Sequence, residues 1–473
     1  MSEAVGNRTT GRQEAMPARP AGGVPGVRGG QTRRRWLMGT AVTMGTACAP
    51  AVLAACAPGG QAPPKAVEPV TLEAWSPWEG TPSDFERRQT ALKEVHPHLT
   101  LTWTGIGFGP YLDKVTTAVA SDTPPDLPYL DNQHQGFFGK GKLLIDQGPL
   151  GKKDRDFNVE AIEPRALDLY TYEGLILGYP WSLTTGQVFF NRALFSAAGR
   201  TQPDELYKQG RWTWDTLTEA ATALTRRAGD GSVLQVGLSH RSIWRLALNA
   251  NGTDVYDDFR KPKKSRLDEL ASIQALEWLQ DLAAKHRVAW NATDAKTLGV
   301  NANEAMNQGK VAMHVSWGVP FAGNARYAQV WDKMGWVPFP KGPASGGKAV
   351  ADLTTEVQGI MRASKKQEPA WLYARWYHKD WQRLQLADRN NPRVSSRRDL
   401  QDIARASLPP PQDLWFEMAK AGVARPVYPD RASVEREILN PGINPVLEGE
   451  GAPRAAALAV AKQINDYFAA NPQ

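Results

Sequence analysis

Tryptophans placed just beyond predicted strands are the residues of this 473-residue chain best suited to chemistry. Trp75 and Trp78 flank a Ser-Pro pair after the first predicted strand, Trp181 stands in GYPWS, and Trp317 follows MHVS. In open α/β sheets, ligands bind beyond the carboxyl ends of the strands. A flat indole offers apolar area to the C–H face of a sugar ring. The placement predicts carbohydrate-stacking surfaces, with Trp244 of HRSIWRL as a further candidate.

Acceptor side chains accompany these rings along the sequence. Carboxylate and amide oxygens accept hydrogen bonds from the hydroxyl groups around the edge of a sugar. The residues expected to supply them are Glu79, Asp131, Asn132 and Asp352. Taken singly, each tryptophan fits a buried core as well as a binding site. The prediction therefore depends on the recurrence of tryptophan at several strand ends.

Motifs for catalysis or cofactor binding are incomplete. The run from Gly342 to Lys348 has the glycine spacing and lysine of a phosphate-binding loop, but Ala349 stands where a Ser or Thr would hold magnesium. His96 and His98 bracket a proline, and no further Cys or His falls at metal-ligand spacing. The sequence has no Gly-x-Ser-x-Gly nucleophile motif. We expect no catalytic residue, no metal and no cofactor.

The N-terminus carries two consecutive targeting signals. Arg33 and Arg34, in TRRRWL, resemble a twin-arginine export signal, and LAAC ending at Cys56 resembles a lipobox whose cysteine is lipidated. We expect residues 1–55 to be removed as a signal peptide and residues 56–69 to form a flexible tether. The alternative for Cys56 is a buried apolar cysteine. The predicted location is the extracytoplasmic face of the cell membrane, through a lipid anchor.

Removal of the signal changes the charge of the chain. The full sequence has a net charge of +7 at pH 7, and residues 1–55 contain seven Arg and two Glu, which leaves +2 on the remainder. This small surplus does not support nucleic-acid binding. Cys48 would be lost with the signal, so the remainder has no pair of cysteines for a disulfide.

Local patterns predict an α/β fold of more than one lobe. Alternating apolar residues predict strands at 70–74 and 99–103, with a capped helix at 83–95 between them. Such a βαβ unit indicates a parallel sheet with helices on its faces. A chain of this length exceeds one hydrophobic core. Thr213 is expected to cap a later helix, and another helix is predicted at 368–387. Its tryptophans are expected to pack in a core: Trp371, Trp376 and Trp381.

Six segments occur in the order typical of one protein family. They are SDTPPDL, GLILGYPWSLTTGQVFFNRALFSAAGR, WTWDTLTEAATAL, NQGKVAMHVSWG, VPFPKGPASGGK and NPRVSSRRDL. Through them, and over nearly all of residues 70–470, the chain resembles the bacterial extracellular solute-binding proteins of family 1. These are the receptors of carbohydrate ABC importers and are similar to the maltose-binding protein.

The resemblance implies a type II periplasmic-binding-protein fold. Such a fold has two α/β lobes, each a mostly parallel sheet flanked by helices, and the lobes are joined by crossing segments. We place the crossings near 183, 337 and 390. The first lobe would then contain 70–183 plus 338–389, and the second lobe 184–337 plus 390–473.

The resemblance also implies a ligand site between the lobes. Trp181 would be a stacking platform at its floor, oriented by Pro180. Ligand contacts from both lobes would stabilise the closed arrangement. The expected contact residues are Trp78, Glu79, Asp131, Asn132 and Asp352 from the first lobe, Trp244 and Trp317 from the second, and Arg393 near the third crossing.

The function implied is that of a monomeric receptor that binds a mono- or oligosaccharide and delivers it to a membrane permease. Two alternatives stay open. A secreted carbohydrate-active enzyme would use the same aromatic rings and carboxylates, and would be recognised by turnover of oligosaccharides. The same fold could instead bind a phosphorylated polyol, a peptide or a polyamine, which a ligand panel would distinguish.

Overall fold

A computed structural model of the chain describes residues 68–77, 82–239, 244–317, 333–387, 394–408 and 411–472. In these ranges the strands form a four-stranded sheet, a larger sheet and a two-stranded sheet, with helices between them. The export-signal and lipidation residues of the sequence analysis lie outside the described residues: Arg33, Arg34 and Cys56.

The strands of the described residues are β1 (Val70–Ser76), β2 (Leu99–Gly105), β3 (Leu127–Asp131), β4 (Thr171–Tyr172), β5 (Leu175–Ile176), β6 (Ser182–Asn191), β7 (Arg226–Arg227), β8 (Val233–Ser239), β9 (Val311–Trp317), β10 (Met334–Val337), β11 (Asp352–Thr354), β12 (Glu356–Gln358), β13 (Val394–Ser395) and β14 (Val423–Ala424).

The α-helices are α1 (Pro82–Val95), α2 (Tyr111–Ala120), α3 (Gln135–Lys140), α4 (Gly148–Lys153), α5 (Pro164–Asp168), α6 (Arg192–Ala197), α7 (Pro203–Lys208), α8 (Trp214–Ala223), α9 (Arg245–Ala250), α10 (Leu270–Ala284), α11 (Ala292–Leu298), α12 (Ala302–Asn307), α13 (Gln367–Trp376), α14 (Gln382–Leu386), α15 (Gln401–Ser407), α16 (Gln412–Ala421), α17 (Arg431–Val434), α18 (Asn440–Leu447) and α19 (Pro453–Ala470). Two π-helical turns lie at Tyr377–Trp381 and Glu435–Leu439.

The first lobe is built on a sheet with the strand order β12-β3-β1-β2. β1 runs parallel to β2 and to β3, whereas β12 runs antiparallel to β3. Helix α1 connects β1 to β2, so the predicted βαβ unit is confirmed. Leu72 and Leu101 are buried on one face of these strands, because alternate side chains of a strand point to the same side.

The second lobe is built on a mixed sheet with the order β14-β11-β6-β9-β8-β7, and β10 and β13 also pair with β6. The β8–β9 and β11–β14 pairs are parallel. β6 is antiparallel to β9, β10, β11 and β13. A mostly parallel sheet, expected for each lobe, is therefore present only in the first. The physical reason is that β6, which enters from the first lobe, pairs among the described strands only with those that run in the opposite direction.

The segment at the first predicted crossing, near 183, contacts both large sheets. Pro180 forms a bridge with Val357 of the first sheet, and the chain then continues as β6 into the second sheet. β13 pairs with the beginning of β6, at Leu183 and Ser182. The third predicted crossing, near 390, lies outside the described residues.

The second crossing lies later in the chain than predicted. The chain leaves the second sheet after β11 and joins the first sheet at β12, so it crosses at 354–356 rather than near 337. Phe339 and Val350 pair with each other and pack in the core of the second lobe. Residues 338–351 therefore belong to the second lobe, because their apolar side chains are buried there.

Aromatic side chains fill the core of the first lobe. The predicted helix at 368–387 is present as α13, a π-helical turn and α14. Trp371, Trp376 and Trp381 are all buried on this segment, which confirms that they pack in a core. Large rings bury much apolar area, so they stabilise a lobe that has no disulfide among its described residues.

The two lobes are also in contact away from β6. Arg260 of the second lobe donates hydrogen bonds to the carbonyl oxygens of Asp168, at 2.8 Å, and Thr171, at 3.2 Å, in the first lobe. Lys140 Nζ on α3 lies 3.3 Å from Asp430 Oδ1. The contacts between the lobes are therefore not confined to β6.

Candidate ligand-binding site

One face of β6 carries a row of small and polar residues where the lobes join. Ser182, Thr184 and Gly186 alternate along the strand and so share a face. In register with them lie residues of three neighbouring strands: Ser395, Thr354, Asp352 and Trp317. Side chains directly opposite one another on neighbouring strands lie on the same face. We call this set, with the side chains that contact it, the polar row.

Trp317 occupies the second-lobe end of the polar row. Its Nε1 donates a hydrogen bond to Asp352 Oδ2 at 2.6 Å. Gly186 lies between these two residues in the register of the sheet, so the indole crosses over a position without a side chain. Trp317 is partly exposed. Its orientation is thus fixed by a hydrogen bond as well as by partial packing against the core of the second lobe.

Two arginines surround the carboxylate of Asp352, which is only 2% exposed. Arg425 Nε donates to Asp352 Oδ2 at 2.8 Å, and its guanidinium carbon lies 4.2 Å from the centre of the Trp317 ring. Arg245 Nη1 lies 3.6 Å from Asp352 Oδ1, while its Nε and Nη2 donate hydrogen bonds to Asp254. Burial would lower the pKa of Arg245, but Asp254 and Asp352 raise it above its usual value. The buried carboxylate therefore has cationic partners, as a buried charge requires.

Asn132 occupies the first-lobe end of the polar row. Its Oδ1 accepts hydrogen bonds from Thr355 N at 3.1 Å and from the Thr354 hydroxyl at 3.3 Å. Its Nδ2 is buried and has no hydrogen-bond partner among the described residues. An unused buried donor costs free energy unless a ligand or water accepts from it. Asn132 thus contacts the segment between β11 and β12 through its Oδ1, and the two N–H donors of its Nδ2 are left for a ligand.

Two carboxylates lie opposite each other beside Asn132. Asp131 on β3 is in register with Glu356 on β12, and Glu356 Oε2 accepts a hydrogen bond from the Ser182 hydroxyl at 2.6 Å. His134 Nδ1 lies 3.2 Å from Asp131 Oδ1, but burial lowers the pKa of His134 and favours the neutral imidazole. Burial raises the pKa of the Tyr170 hydroxyl, as do both carboxylates, so Tyr170 remains a donor at neutral pH. This end of the row is rich in acceptors.

Four of the predicted contact residues are brought together by the fold. Asp131 and Asn132 lie at the first-lobe end of the polar row, and Asp352 and Trp317 at the second-lobe end. Trp244 directly precedes α9 and packs, partly buried, against the core of the second lobe. Three predicted contact residues lie outside the described residues: Trp78, Glu79 and Arg393.

Trp181 is not a free stacking surface in this structure. It is 4% exposed, and its ring centre lies 4.8 Å from that of Tyr377, 5.7 Å from that of Tyr129 and 5.7 Å from that of His378. A stacking platform needs one face open to the ligand, and these three rings surround the indole. The structure therefore corrects the expectation for Trp181, whose ring packs inside the first lobe.

Sequence reasoning missed several members of the polar row. Arg245 and Arg425 are separated from Asp352 by about 70 to 110 residues in the chain, so no local pattern connects them. The alternation of polar residues in SLTTGQ could have revealed Ser182 and Thr184, because a strand buried on both faces would be apolar throughout. No pattern in the sequence identifies Glu356 as a residue of the site.

The chemistry available in the row is that of hydrogen bonding next to an aromatic ring. No group of three or more His, Cys, Asp or Glu side chains within the described ranges is arranged to hold a metal ion. Carboxylates and hydroxyls accept, while Arg425 and Asn132 donate. The same part of the chain contains no helix long and apolar enough to cross a membrane.

Sequence comparison identifies related binding proteins. The family model for bacterial extracellular solute-binding proteins matches residues 78–380. A Brucella abortus protein described as a binding protein is 25% identical over 315 residues, which cover 63% of this chain and 69% of that protein. A Sinorhizobium fredii protein assigned as the periplasmic-binding protein of an amino-acid ABC transporter is 24% identical over 230 residues, covering 47% of this chain and 48% of that protein.

Structure comparison identifies the same fold in solved binding proteins. The ABC substrate-binding protein of Listeria monocytogenes in complex with cycloalternan has a TM-score of 0.73 at 18% identity, covering 85% of this chain and all of that one. A solute-binding protein of Thermotoga lettingae bound to alpha-D-tagatose has a TM-score of 0.70 at 22% identity, covering 84% of this chain and 99% of that one. The expected two-lobed type II fold is thus confirmed.

Proposed function

This chain belongs to the bacterial extracellular solute-binding proteins, and we propose that it is the receptor of an ABC importer that binds a hydroxyl-rich solute, a mono- or oligosaccharide, between its lobes. One observation carries the proposal. The polar row runs without interruption from Asp131 and Asn132 in the first lobe to Trp317 and Arg425 in the second. A ligand in contact with both ends would stabilise the closed arrangement and present it to a permease.

The residue types of the row suit a sugar. Asp131 is an acceptor for ligand hydroxyl groups, Thr184 and Thr354 add hydroxyls, and Asn132 Nδ2 is a donor. Trp317 supplies aromatic surface to the apolar face of a ring. Bound cycloalternan and alpha-D-tagatose in proteins of the same fold support a hydroxylated ligand.

The export and anchoring signals complete the proposal. Arg33 and Arg34 would direct export, and lipid on Cys56 would hold a monomeric receptor at the outer face of the membrane, with residues 56–69 as the tether. Cys56→Ser should move the protein from the membrane fraction to the soluble fraction. Retention of the Cys56→Ser protein in the membrane fraction would contradict the lipid anchor.

A thermal-shift panel tests the ligand class. The protein without its signal peptide is heated with single mono- and oligosaccharides, polyols and amino acids. A ligand at 100 times its dissociation constant adds about 2.7 kcal/mol to the free energy of unfolding, so one or more sugars should raise the melting temperature by several degrees. A shift with amino acids and none with sugars would overturn the proposal. Oligosaccharides should be recovered intact, and their cleavage would favour an enzyme.

An amino-acid ligand is the second candidate. The observation that favours it is the 24% identity to the protein assigned to amino-acid transport. An α-amino acid carries both an ammonium and a carboxylate, and would place these near Asp131 and Arg425 respectively. The same panel decides between the two candidates.

A further inference from the structure

Arg425 differs from the other cation of the site in how its hydrogen-bond donors are used. Arg245 donates from Nε and Nη2 to Asp254 and from Nη2 to the carbonyl of Ala424, and its Nη1 faces Asp352. Arg425 donates only from Nε, to Asp352. Its two Nη groups hydrogen-bond to none of the described residues, and its side chain is 23% exposed. All three guanidinium nitrogens of Arg245 therefore face acceptors of the protein, whereas the Nη groups of Arg425 can still donate hydrogen bonds to a ligand.

The guanidinium of Arg425 is also held in place before any ligand arrives. It lies over the Trp317 ring at 4.2 Å, and the carboxylate of Asp352 holds its Nε at 2.8 Å. Ordering a free arginine side chain costs conformational entropy on binding. Stacking on Trp317 and the ion pair with Asp352 remove part of that cost, because the planar guanidinium group is already oriented.

The charges around this guanidinium cancel. Arg245 and Arg425 are the cations of the cluster, and Asp254 and Asp352 are its anions. An anionic ligand group at the Nη atoms would be attracted by Arg425 but repelled by Asp352. A neutral hydroxyl or ring oxygen needs no net charge to accept from the same N–H groups. The cluster thus favours hydrogen bonding to neutral ligand atoms over capture of an anion.

We propose that Arg425 is a specificity-determining contact of the ligand site, whose Nη groups donate to oxygens of a neutral, hydroxylated solute. This inference rests on the proposed function and deepens it, because the Arg425 contact would select neutral sugars over sugar phosphates and sugar acids. Trp317 and Asp352 are its positioning residues.

The test uses calorimetric titration of the best sugar of the panel, and of its phosphate ester, into the chain without its signal peptide. Arg425→Gln and Arg425→Lys should each weaken sugar binding at least tenfold, because neither substitute offers two parallel Nη donors. The lysine variant keeps a cation beside Asp352, which protects the fold if the glutamine variant is unstable. The parent should bind the neutral sugar at least tenfold more tightly than the phosphate.

Arg405→Gln is the matched control. Arg405 also lies over an aromatic ring, that of Phe416 at 4.4 Å, and also pairs with a carboxylate, Asp413, but neither partner belongs to the polar row. This variant should bind the sugar within twofold of the parent.

The outcomes separate the two proposals. A parent that binds sugar while both Arg425 variants bind equally well overturns this inference and leaves the proposed function standing. Tighter binding of the phosphate than of the sugar overturns the selection for neutral ligands. A parent that binds no sugar overturns the proposed function, and the inference falls with it.

Discussion

Trp181 directly precedes β6 and Trp317 is the last residue of β9, both near the junction of the lobes, yet their surroundings are opposite. Trp181 packs among Tyr129, Tyr377 and His378 within the first lobe. Trp317 lies partly exposed, hydrogen-bonded to a carboxylate and covered by a guanidinium. A strand end brings a tryptophan to the edge of a sheet, but the side chains contributed by distant parts of the chain decide whether its ring packs or faces a ligand.

The contrast has a physical origin in the partners of each ring. The segment after α13 supplies aromatic side chains to Trp181, and these exclude water from its faces. Trp317 packs only partly against the core of the second lobe, and its described neighbours also include Gly186, Asp352 and Arg425, which supply space and charge. Four predictions test this difference, from the largest expected effect to the smallest.

Trp181→Ala should lower the free energy of unfolding by about 3 to 5 kcal/mol, because it opens a cavity in an aromatic core. Urea denaturation followed by circular dichroism measures the loss. Trp181→Phe is the control and should lose less than half as much, since a ring remains. A loss below about 1 kcal/mol for the alanine variant would mean that the ring does not pack as described.

The stability of the first lobe should depend on pH through His378. Burial, together with the nearby charge of Arg397, lowers the pKa of this imidazole to about 3; the rings of Phe157, Tyr179 and Trp181 also face it. The unfolded state therefore binds one more proton between pH 3 and about 6.5, so the free energy of unfolding falls as pH drops through this window, by at most about 1.4 kcal/mol per pH unit.

His378→Phe should flatten that dependence, as measured by urea denaturation between pH 7 and 5. His314, whose pKa burial lowers to about 4, contributes in the same direction, so part of the slope should persist. An unchanged slope in the His378→Phe protein would show that the imidazole is solvated and not enclosed by the aromatic rings.

Trp317→Ala should weaken sugar binding by about tenfold, equivalent to about 1.4 kcal/mol, with a smaller effect on stability than Trp181→Ala. The substitution removes aromatic surface and frees the guanidinium of Arg425. Calorimetric titration of the sugar measures the affinity. An affinity within twofold of the parent would remove Trp317 from the site.

Gly186→Ala should weaken binding by about threefold, the smallest of the four effects. Gly186 lies between Asp352 and Trp317 in the register of the sheet, so we expect a methyl group there to crowd the indole and to displace its Nε1 from Asp352. Gly229→Ala is the control, because a side chain there would meet open space. Equal titration curves for both variants would argue that the indole does not depend on the glycine.

Local sequence patterns predicted the parts of the fold that depend on neighbours in the chain. The βαβ unit of the first lobe and the cap of α8 by Thr213 follow from alternation and capping chemistry. The family motifs predicted the two-lobed fold. Asp131, Asn132, Asp352 and Trp317 could be named because each lies at a strand end.

Features that depend on distant pairing could not be predicted in the same way. The crossing at 354–356 and the contact of Arg425 with Asp352 require the register of β11 with β6 and β14. Trp181 was placed correctly along the chain, but its burial depends on rings from the π-helical turn nearly 200 residues later. Pairing of this kind is a property of the packed fold, and no local period encodes it.

The most direct measurement is the sugar affinity of two matched variants, Trp317→Phe and Trp181→Phe, determined by calorimetric titration with the same ligand. Each keeps a ring and loses an indole N–H. Trp317→Phe should bind at least fivefold more weakly than the parent, because its ring no longer donates to Asp352, while Trp181→Phe should bind within twofold. Weak binding by Trp181→Phe together with parental binding by Trp317→Phe would contradict the account.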